Sequence, residues 1–225
     1  MAARFPSPSK SDGADEDLAT TMTGNILIVG DSHCRELDGI ITKTYKKLNV
    51  YVVSVGRQTD EIMAAYTNEL EAIFAFEPDT VIFHSGHNEL AYHRTKNLTP
   101  KDSTQTTVIT INAAAVLKVN HPNAMIIISS VFPRLLTFKS SLRQLDLAHY
   151  NSTAERHGRC LKTEANKIEL HVFLNNFLWK SKQLKTVKCH HYLRDGLHLN
   201  DKAKAYVTSR WMEEVHRLQM VIKLE

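Results

Sequence analysis

The sequence lacks the features that mark several large classes of protein. No apolar run approaches the roughly 20 residues that a transmembrane helix needs, and the amino terminus does not show the basic and then apolar layout of a secretory signal. Cysteine is scarce, and Cys34, Cys160 and Cys189 are an odd number without paired spacing. We therefore expect no disulfide framework and a reducing, cytoplasmic location.

The chain also lacks a strong excess of charge and any internal repeat. Its formal net charge of +4 over 225 residues is too small to predict nucleic acid as a partner. The hydrophobic share of 43% is typical of a soluble protein that can bury one sizeable core. Residues 1–23 differ, because they carry prolines, serines and an acidic cluster with little to bury. We expect a disordered tail or linker over residues 1–23 and one domain over residues 24–225.

Apolar runs bounded by turn residues alternate with segments of helical spacing. Five runs are typical of buried strands, at residues 25–29, 50–55, 80–84, 124–129 and 170–173. Five segments show helical spacing, at residues 35–47, 61–76, 104–119, 142–169 (with a soft point at His157 and Gly158) and 201–221. The segment between the fifth apolar run and Leu193 is basic and is expected to be irregular. Continuous apolar strands between helices predict a parallel sheet covered on both faces. The expected fold class is α/β, a three-layer α/β/α sandwich of flavodoxin-like plan with about five parallel strands.

The first strand ends at Gly30-Asp31-Ser32, which predicts a strand-to-helix turn at Ser32. In open α/β sheets, ligands bind at the carboxyl ends of the strands. A helix amino terminus there offers backbone N–H groups to developing negative charge. Ser32 is therefore a candidate nucleophile. The alternative is that Asp31 and Ser32 only cap the helix, as both residue types commonly do.

Residues after the second and third strands, together with a pair just before the last helix, complete the parts needed for acyl transfer. Asp195 and His198 lie three residues apart before the last helix, and they can serve as the base that takes the serine proton and the carboxylate that orients this base. The backbone N–H groups of Ser32 and Gly56 and the amide of Asn88 are suitable donors for an oxyanion hole. The alternatives are a turn at Gly56 and local capping by Asn88 and Asp195.

Four blocks in this order resemble those of the SGNH (GDSL-like) hydrolases. They are Gly-Asp-Ser-His at 30–33, Gly56, Gly-His-Asn-Glu at 86–89 and Asp-Gly-Leu-His at 195–198. The resemblance covers about residues 24–219 and implies a serine esterase that needs no metal or other cofactor. It implies that Ser32 is the nucleophile, His198 the base and Asp195 its partner, with Gly56 and Asn88 in the oxyanion hole. His33 and Glu89 depart from the usual Leu and Asp, which puts the substrate preference in doubt.

The acidic tail and the basic domain with its scattered apolar residues also resemble a narrower group of proteins. They are similar to the esterase domain in the first open-reading-frame protein of some LINE-type retrotransposons. No separate motif carries this second resemblance. It implies that the chain is part of a retrotransposon protein.

Several apolar residues near the expected site are candidates for substrate or membrane contact. His33 and His87 are expected to line the pocket or to bond locally, and Phe132 and Leu135 follow the fourth strand. Rings beside lysines suit the boundary between water and lipid, and this pattern occurs at Phe177, Trp179, Lys180 and Lys182. A lipid acyl ester and a peripheral membrane contact are therefore expected, with an acetyl ester as the other candidate substrate. The alternative is that these apolar residues pack under the sheet while the lysines are solvated.

Other functions remain as alternatives at this point. Cys189, His190 and His191 are of types that bind zinc, but adjacent histidines in an extended segment would point in opposite directions. Cys34 is interpreted as a small buried side chain rather than a second nucleophile. A catalytically silent module that binds membrane lipid or a nucleoprotein partner would use the same fold. A nucleic-acid chaperone would rely on the basic segment, with steep salt dependence of binding.

Overall fold

The central sheet consists of parallel strands. The computed structural model describes residues 19, 21–56, 58–91, 100–135, 144–181, 186–193 and 195–222. Within them, the strands are β1 (Gly24–Gly30), β2 (Leu48–Ser54), β3 (Thr80–His84), β4 (Met125–Ser129) and β5 (His171–Phe173). Their order in the sheet is β2-β1-β3-β4-β5, with every neighbouring pair parallel. The predicted fold class and flavodoxin-like plan are confirmed.

Helices cover both faces of this sheet. They are α1 (Leu37–Thr44), α2 (Thr59–Asn68), α3 (Leu70–Phe76), α4 (His87–Leu90), α5 (Ser103–Asn120), α6 (Gln144–Asn166) and α7 (Asp201–Ile222). Alternate residues of each strand face opposite sides of the sheet. In β1, Ile26 and Ile28 pack in one core cluster with residues of α1 and α7, whereas Leu27 and Val29 pack in the other with residues of α2, α3, α5 and α6.

The strand order places a crevice between β1 and β3. In doubly wound sheets, ligands bind outside the carboxyl ends of the strands at the point where the winding reverses. Here β1 is followed by β2 on one side, and the chain then crosses to β3 on the other side of β1. Ser32 follows β1 and Asn88 follows β3, so both lie at this switch point.

Two helix predictions are wrong at their bounds. A 3₁₀ turn at Ser32–Cys34 precedes α1, and Glu36 between them has a left-handed backbone, so α1 begins at Leu37 rather than residue 35. The predicted helix at 61–76 is two helices, α2 and α3, that meet at Glu69. The apolar spacing continues across this break because both helices pack on the same face of the sheet.

Two further predictions differ from the structure. Helix α6 is continuous through His157 and Gly158, so the predicted soft point is wrong. Gly158 packs closely, since a Cβ there would lie 3.4 Å from Leu174 Cδ2. The segment after β5, predicted to be irregular, contains the antiparallel strands β6 (Trp179–Ser181) and β7 (Thr186–Val187).

The amino-terminal part of the described chain joins the core. Met22 is 3% exposed and belongs to the cluster beneath α7. The residues of the predicted tail up to Leu18 lie outside the described residues, and the division into a tail over 1–23 and a domain over 24–225 stays a prediction. Over the described ranges, no helix combines the length and the apolar character needed to cross a membrane.

Candidate active site

Ser32 lies at the carboxyl edge of the sheet because β1 ends in a very close turn. A Cβ on Gly30 would lie 2.5 Å from Cys34 Sγ and 2.6 Å from the His84 carbonyl oxygen, so only glycine fits there. The next residue, Asp31, donates its backbone N–H to the same carbonyl over 3.1 Å. Ser32 begins the 3₁₀ turn that follows, and its side chain is half-buried.

Asp31 caps this turn, as the capping interpretation predicts. Its Oδ1 accepts the His33 backbone N–H over 3.0 Å. The side chain of Asp31 is only 1% exposed. Capping accounts for one of its carboxylate oxygens and leaves Oδ2 to face the interior.

His198 and Asp195 face Ser32 from the loop before α7. Nε2 of His198 lies 3.5 Å from Ser32 Oγ, and Nδ1 of His198 lies 2.8 Å from Asp195 Oδ2. Because a carboxylate only accepts hydrogen bonds, we assign the ring proton to Nδ1, which leaves the lone pair of Nε2 directed at the hydroxyl. A distance of 3.5 Å is long for a hydrogen bond, but such contacts commonly tighten when substrate binds.

The loop that carries this pair is anchored on both sides. Leu193 donates its backbone N–H to the His198 carbonyl over 2.8 Å, and the Leu135 N–H bonds the Gly196 carbonyl, also over 2.8 Å. Asp195 Oδ1 accepts the backbone N–H groups of Leu197 and His198. Partial burial raises the pKa of Asp195, but the hydrogen bonds from the His198 ring and from these amides outweigh it, and the net pKa lies below its ordinary value.

Gly56 lies next to the nucleophile. A Cβ built on Gly56 would lie 3.6 Å from Ser32 Cβ and 3.5 Å from Arg35 Nη2, so the exposed backbone of Gly56 borders the space in front of Ser32. Asn88 is half-buried in α4, directly after the turn that follows β3. Both candidate oxyanion donors therefore flank the switch point, and their role in binding an oxyanion stays a prediction.

Three histidines and a phenylalanine form a buried layer beneath Ser32. The His33 ring lies 4.4 Å from the His87 ring, 5.3 Å from Phe132 and 5.4 Å from His198, measured between centroids. The His84 ring lies 4.3 Å from the Phe132 ring, with the two planes tilted by 34°. Burial and the neighbouring His87 hold the pKa of His33 well below its usual range, and burial lowers the pKa of His84 to about 3. These rings are neutral at neutral pH.

His87 is paired with Asp31 inside this layer. Nε2 of His87 accepts the Phe132 backbone N–H over 2.7 Å, which assigns the ring proton to Nδ1. That Nδ1 lies 2.7 Å from Asp31 Oδ2, with both side chains at 2% exposure or less. The N–H is poorly aligned with the oxygen, so the contact is a close electrostatic pairing rather than a well-formed hydrogen bond.

The same layer contains a set of potential metal donors. Asp31, His84 and His87 each offer one donor atom, and these three atoms all lie within 4.8 Å of one another. A metal ligand must offer a lone pair. Because Nε2 of His87 accepts a backbone N–H, Nδ1 carries the proton and has no lone pair to offer. The chemistry of this donor set therefore fits an electrostatic pairing of His87 with Asp31 better than a bound cation.

The prediction that His190 and His191 lie in an extended segment and point in opposite directions, which argued against a zinc site with Cys189, is wrong. These residues form a 3₁₀ turn rather than an extended segment, and the two imidazole rings lie only 4.2 Å apart. His191 also stacks on Tyr206. Cys34 is fully buried, as expected, and burial raises the pKa of its thiol well above the usual range.

The remaining candidate contact residues are partly covered. Phe132 is 2% exposed, and the half-buried Leu135, Phe177 and Trp179 pack against the core cluster beneath α7. Lys180 is described in its backbone only, and Lys182 lies outside the described residues. Substrate contact by His33, His87, Phe132 or Leu135, and membrane contact by Phe177, Trp179, Lys180 or Lys182, stay predictions.

Two tethers at this site were not recognised in the sequence. Glu89 reaches the backbone of Thr59, and Ser54 Oγ donates to the Asp31 carbonyl over 2.5 Å. A local pattern does not reveal such contacts, because their partners are 30 and 23 residues away. The one available signal was the replacement of the usual Asp by Glu89 beside the candidate oxyanion residue.

A cavity of about 700 Å³ lies at the opposite, amino-terminal edge of the sheet. Gly24, Asp79, Lys118 and His171 are among the residues that line it. The candidate catalytic residues are not part of this lining. Its size therefore says nothing about the chemistry at Ser32.

Comparisons with solved structures identify the fold. A GDSL-like lipase from Bacteroides thetaiotaomicron is 14% identical, with a TM-score of 0.60 over 90% of this chain and 89% of that one. A lipase/acylhydrolase from Enterococcus faecalis is 13% identical, with a TM-score of 0.58 over 86% and 95%. The acetyl xylan esterase AlAXEase is 16% identical, with a TM-score of 0.55 over 83% and 98%.

Comparisons by sequence identify no relative of this chain. No protein-family model matches the chain, and the curated proteins contain no match. The chain thus has the fold of the GDSL-like lipases and acylhydrolases, as the four blocks predict. The resemblance to LINE-type esterase domains stays a prediction.

Proposed function

We propose that this protein is a metal-independent serine ester hydrolase of the SGNH (GDSL) type. The observation that carries the proposal is the Ser32, His198 and Asp195 relay at the carboxyl edge of the sheet, with distances of 3.5 and 2.8 Å. The nucleophile, a base in the correct tautomer and an orienting carboxylate are the groups that acyl transfer needs.

The acylation step uses these groups in order. Ser32 Oγ attacks the ester carbonyl carbon while its proton passes to Nε2 of His198, and Asp195 stabilises the resulting imidazolium. The carbonyl oxygen becomes an oxyanion, to which the backbone N–H groups of Ser32 and Gly56 and the Asn88 amide donate hydrogen bonds. The tetrahedral intermediate then collapses, and the leaving alkoxide takes the proton from His198, which releases the alcohol.

Deacylation repeats this sequence with water. His198 Nε2 takes a proton from a water molecule, the resulting hydroxide attacks the Ser32 ester, and a second tetrahedral intermediate forms at the same donors. Its collapse returns the proton to Ser32 Oγ and releases the carboxylic acid. The chain's own side chains supply every proton transfer in the cycle.

The names of the similar structures support carboxylic esters as the substrate class. They include lipases and an acetyl xylan esterase, so acyl groups from acetyl to long-chain lipid are the candidates. The acid released ranges accordingly from acetate to a fatty acid.

We infer that nucleic acid is not a substrate or partner of this domain.

Hydrolysis of nitrophenyl esters graded from acetyl to long acyl tests the proposal. The wild-type chain is compared with Ser32→Ala and with Ser152→Ala, which removes an exposed hydroxyl on α6. We expect loss of turnover in Ser32→Ala alone, and labelling of Ser32 by a fluorophosphonate. Dialysis against a chelator should leave the rate unchanged.

An equal rate for the wild type and Ser32→Ala would overturn the proposal. The fold would then serve as a catalytically silent module, and binding to anionic liposomes would become the discriminating measurement. Loss of turnover after chelation, with the protein still folded, would overturn the metal-independent mechanism.

A further inference from the structure

The two residues that flank Asn88 are polar and almost completely buried. His87 is 2% exposed and Glu89 1%. Burying polar groups is costly unless they have partners. Their partners lie on the two other segments that carry candidate oxyanion donors, and this shared placement is the basis of the inference.

Glu89 contacts the segment that follows Gly56. Its Oε1 accepts the Thr59 backbone N–H over 2.5 Å. Thr59 is the first residue of α2, three residues after Gly56, and its N–H has no partner within the helix. The Glu89 carboxyl group therefore fixes the start of α2, and with it the Gly56 backbone, against the segment of Asn88.

His87 contacts the segment that carries Ser32. Its Nδ1 lies 2.7 Å from Asp31 Oδ2, while Asp31 Oδ1 accepts the His33 backbone N–H over 3.0 Å. Asp31 and His33 are the two chain neighbours of Ser32. The position of His87 is itself set by the Phe132 N–H at its other nitrogen.

We propose that His87 and Glu89 are positioning residues that hold the Ser32 and Gly56 segments in register with Asn88. We call the two contacts, His87 to Asp31 and Glu89 to Thr59, the clamp. This inference rests on the proposed function, because its catalytic effect requires that these three segments bind an oxyanion.

The clamp matters because an oxyanion hole works by preorganisation. Donors stabilise a developing charge best when they are already at the required positions and need not reorganise. A shift of about 1 Å in such a group can cost about 100-fold in rate. Three donors on three separate segments need tertiary contacts to stay in register, and the clamp joins each outer segment to the central one.

Paired variants separate the contacts of the clamp from simple packing. Glu89→Gln keeps an oxygen that can accept the Thr59 N–H, whereas Glu89→Ala removes it. His87→Asn keeps an N–H donor near the position of Nδ1, whereas His87→Gln places an acceptor near Nε2 and loses the donor to Asp31. His121→Asn is the control, since His121 is also buried but contacts Tyr66 near the amino-terminal end of β4.

Acylation kinetics and amide hydrogen exchange are measured on each variant. We expect Glu89→Ala and His87→Gln to lower kcat by about 10- to 100-fold with little change in KM. Glu89→Gln and His87→Asn should stay within about threefold of the wild type. His121→Asn should lower the melting temperature without lowering kcat.

Exchange tests the clamp independently of turnover. Glu89→Ala should accelerate exchange at Thr59 but not at His33, and His87→Gln should do the reverse. Exchange rates equal to those of the wild type in all variants would overturn the clamp. If the wild type is active, an unchanged kcat in Glu89→Ala and His87→Gln would also overturn it. A wild type that hydrolyses no ester would overturn the proposed function, and the exchange pattern would then decide on the clamp alone.

Discussion

The imidazole of His198 lies 3.5 Å from the hydroxyl of Ser32, although 166 residues separate them in the chain. Ser32 follows β1 in the centre of the sheet, and His198 comes from the loop before the last helix. The backbone bridge between Tyr192 and Leu199 holds that loop closed. The contact thus joins the first and last parts of the fold at the edge where the winding reverses.

Asp195→Asn is expected to abolish most of the activity while the loop stays folded. The Asn oxygen can still accept the backbone N–H groups of Leu197 and His198, which now bond Asp195 Oδ1. Its NH₂ group would donate to His198 Nδ1 and so favour the tautomer with the ring proton on Nε2. A protonated Nε2 has no free lone pair and cannot accept the Ser32 proton. We expect kcat to fall by about 10⁴-fold, the size known for the same change in a serine protease. Steady-state kinetics measure the loss, and an unchanged far-ultraviolet circular dichroism spectrum serves as the control.

Asn88→Ala tests the side-chain donor of the oxyanion hole. Removing one such donor is expected to raise the barrier by about 2.7–4 kcal/mol, which is about 10²- to 10³-fold in kcat. KM should change little, because the ground-state carbonyl is bound less strongly than the oxyanion. Single-turnover acylation measures the chemical step directly. A normal acylation rate would remove Asn88 from this role.

Gly56→Ala is expected to lower activity without lowering stability. Gly56 does not have a left-handed φ, and its added methyl would make ordinary contacts of 3.5 and 3.6 Å. The melting temperature should therefore stay within about 2 °C of the wild type. The methyl would project toward Ser32, where the substrate must approach, so kcat/KM should fall by roughly 10- to 100-fold. Differential scanning calorimetry and ester kinetics on the same sample make the comparison.

Gly30→Ala provides the matched contrast to this variant. Its methyl would lie 2.6 Å from the His84 carbonyl oxygen, which belongs to the backbone of β3 and cannot move aside cheaply. We expect a clear loss of melting temperature along with the loss of activity. Equal melting temperatures for the two glycine variants would contradict this interpretation of the turn.

Stability is expected to fall in mild acid because of buried histidines. Burial lowers the pKa of His157 to about 4 and of His84 to about 3, from an ordinary 6.5. Below pH 6.5 the unfolded chain therefore binds protons that the folded chain does not, and folding stability falls as the pH decreases toward 4. Each such histidine contributes a slope of roughly 1.4 kcal/mol per pH unit. Urea unfolding between pH 7.5 and 4.5 measures this slope.

His157→Leu should make this pH dependence shallower. The two ring nitrogens of His157 are buried and have no hydrogen-bond partner among the described residues, so the variant removes one titrating group and no bond. His149→Asn, which changes an exposed histidine on α6, is the control. The same slope in both variants would show that His157 does not contribute to it.

Local patterns were sufficient for much of the fold. Each strand is a run of β-branched and aliphatic residues, and such runs between amphipathic segments predict a parallel sheet whatever the distant contacts are. Helix bounds were less accurate where a local backbone feature intervened. The left-handed Glu36 before α1 and the break at Glu69 leave the apolar spacing unchanged, so periodicity alone does not reveal them.

The sequence by itself determined which residue types follow each strand, because a strand and the residues after it are recognised from neighbouring positions in the chain. Ser32, Gly56 and Asn88 were identified in this way, and Asp195 and His198 were identified from their spacing just before the last helix. Only the tertiary structure decided how these groups meet and what supports them. The Ser32 to His198 distance, the neutral histidine layer and the contacts of His87 and Glu89 all join residues far apart in the chain. Contacts of this kind depend on how whole strands and helices pack, and they leave no periodic signal in the sequence.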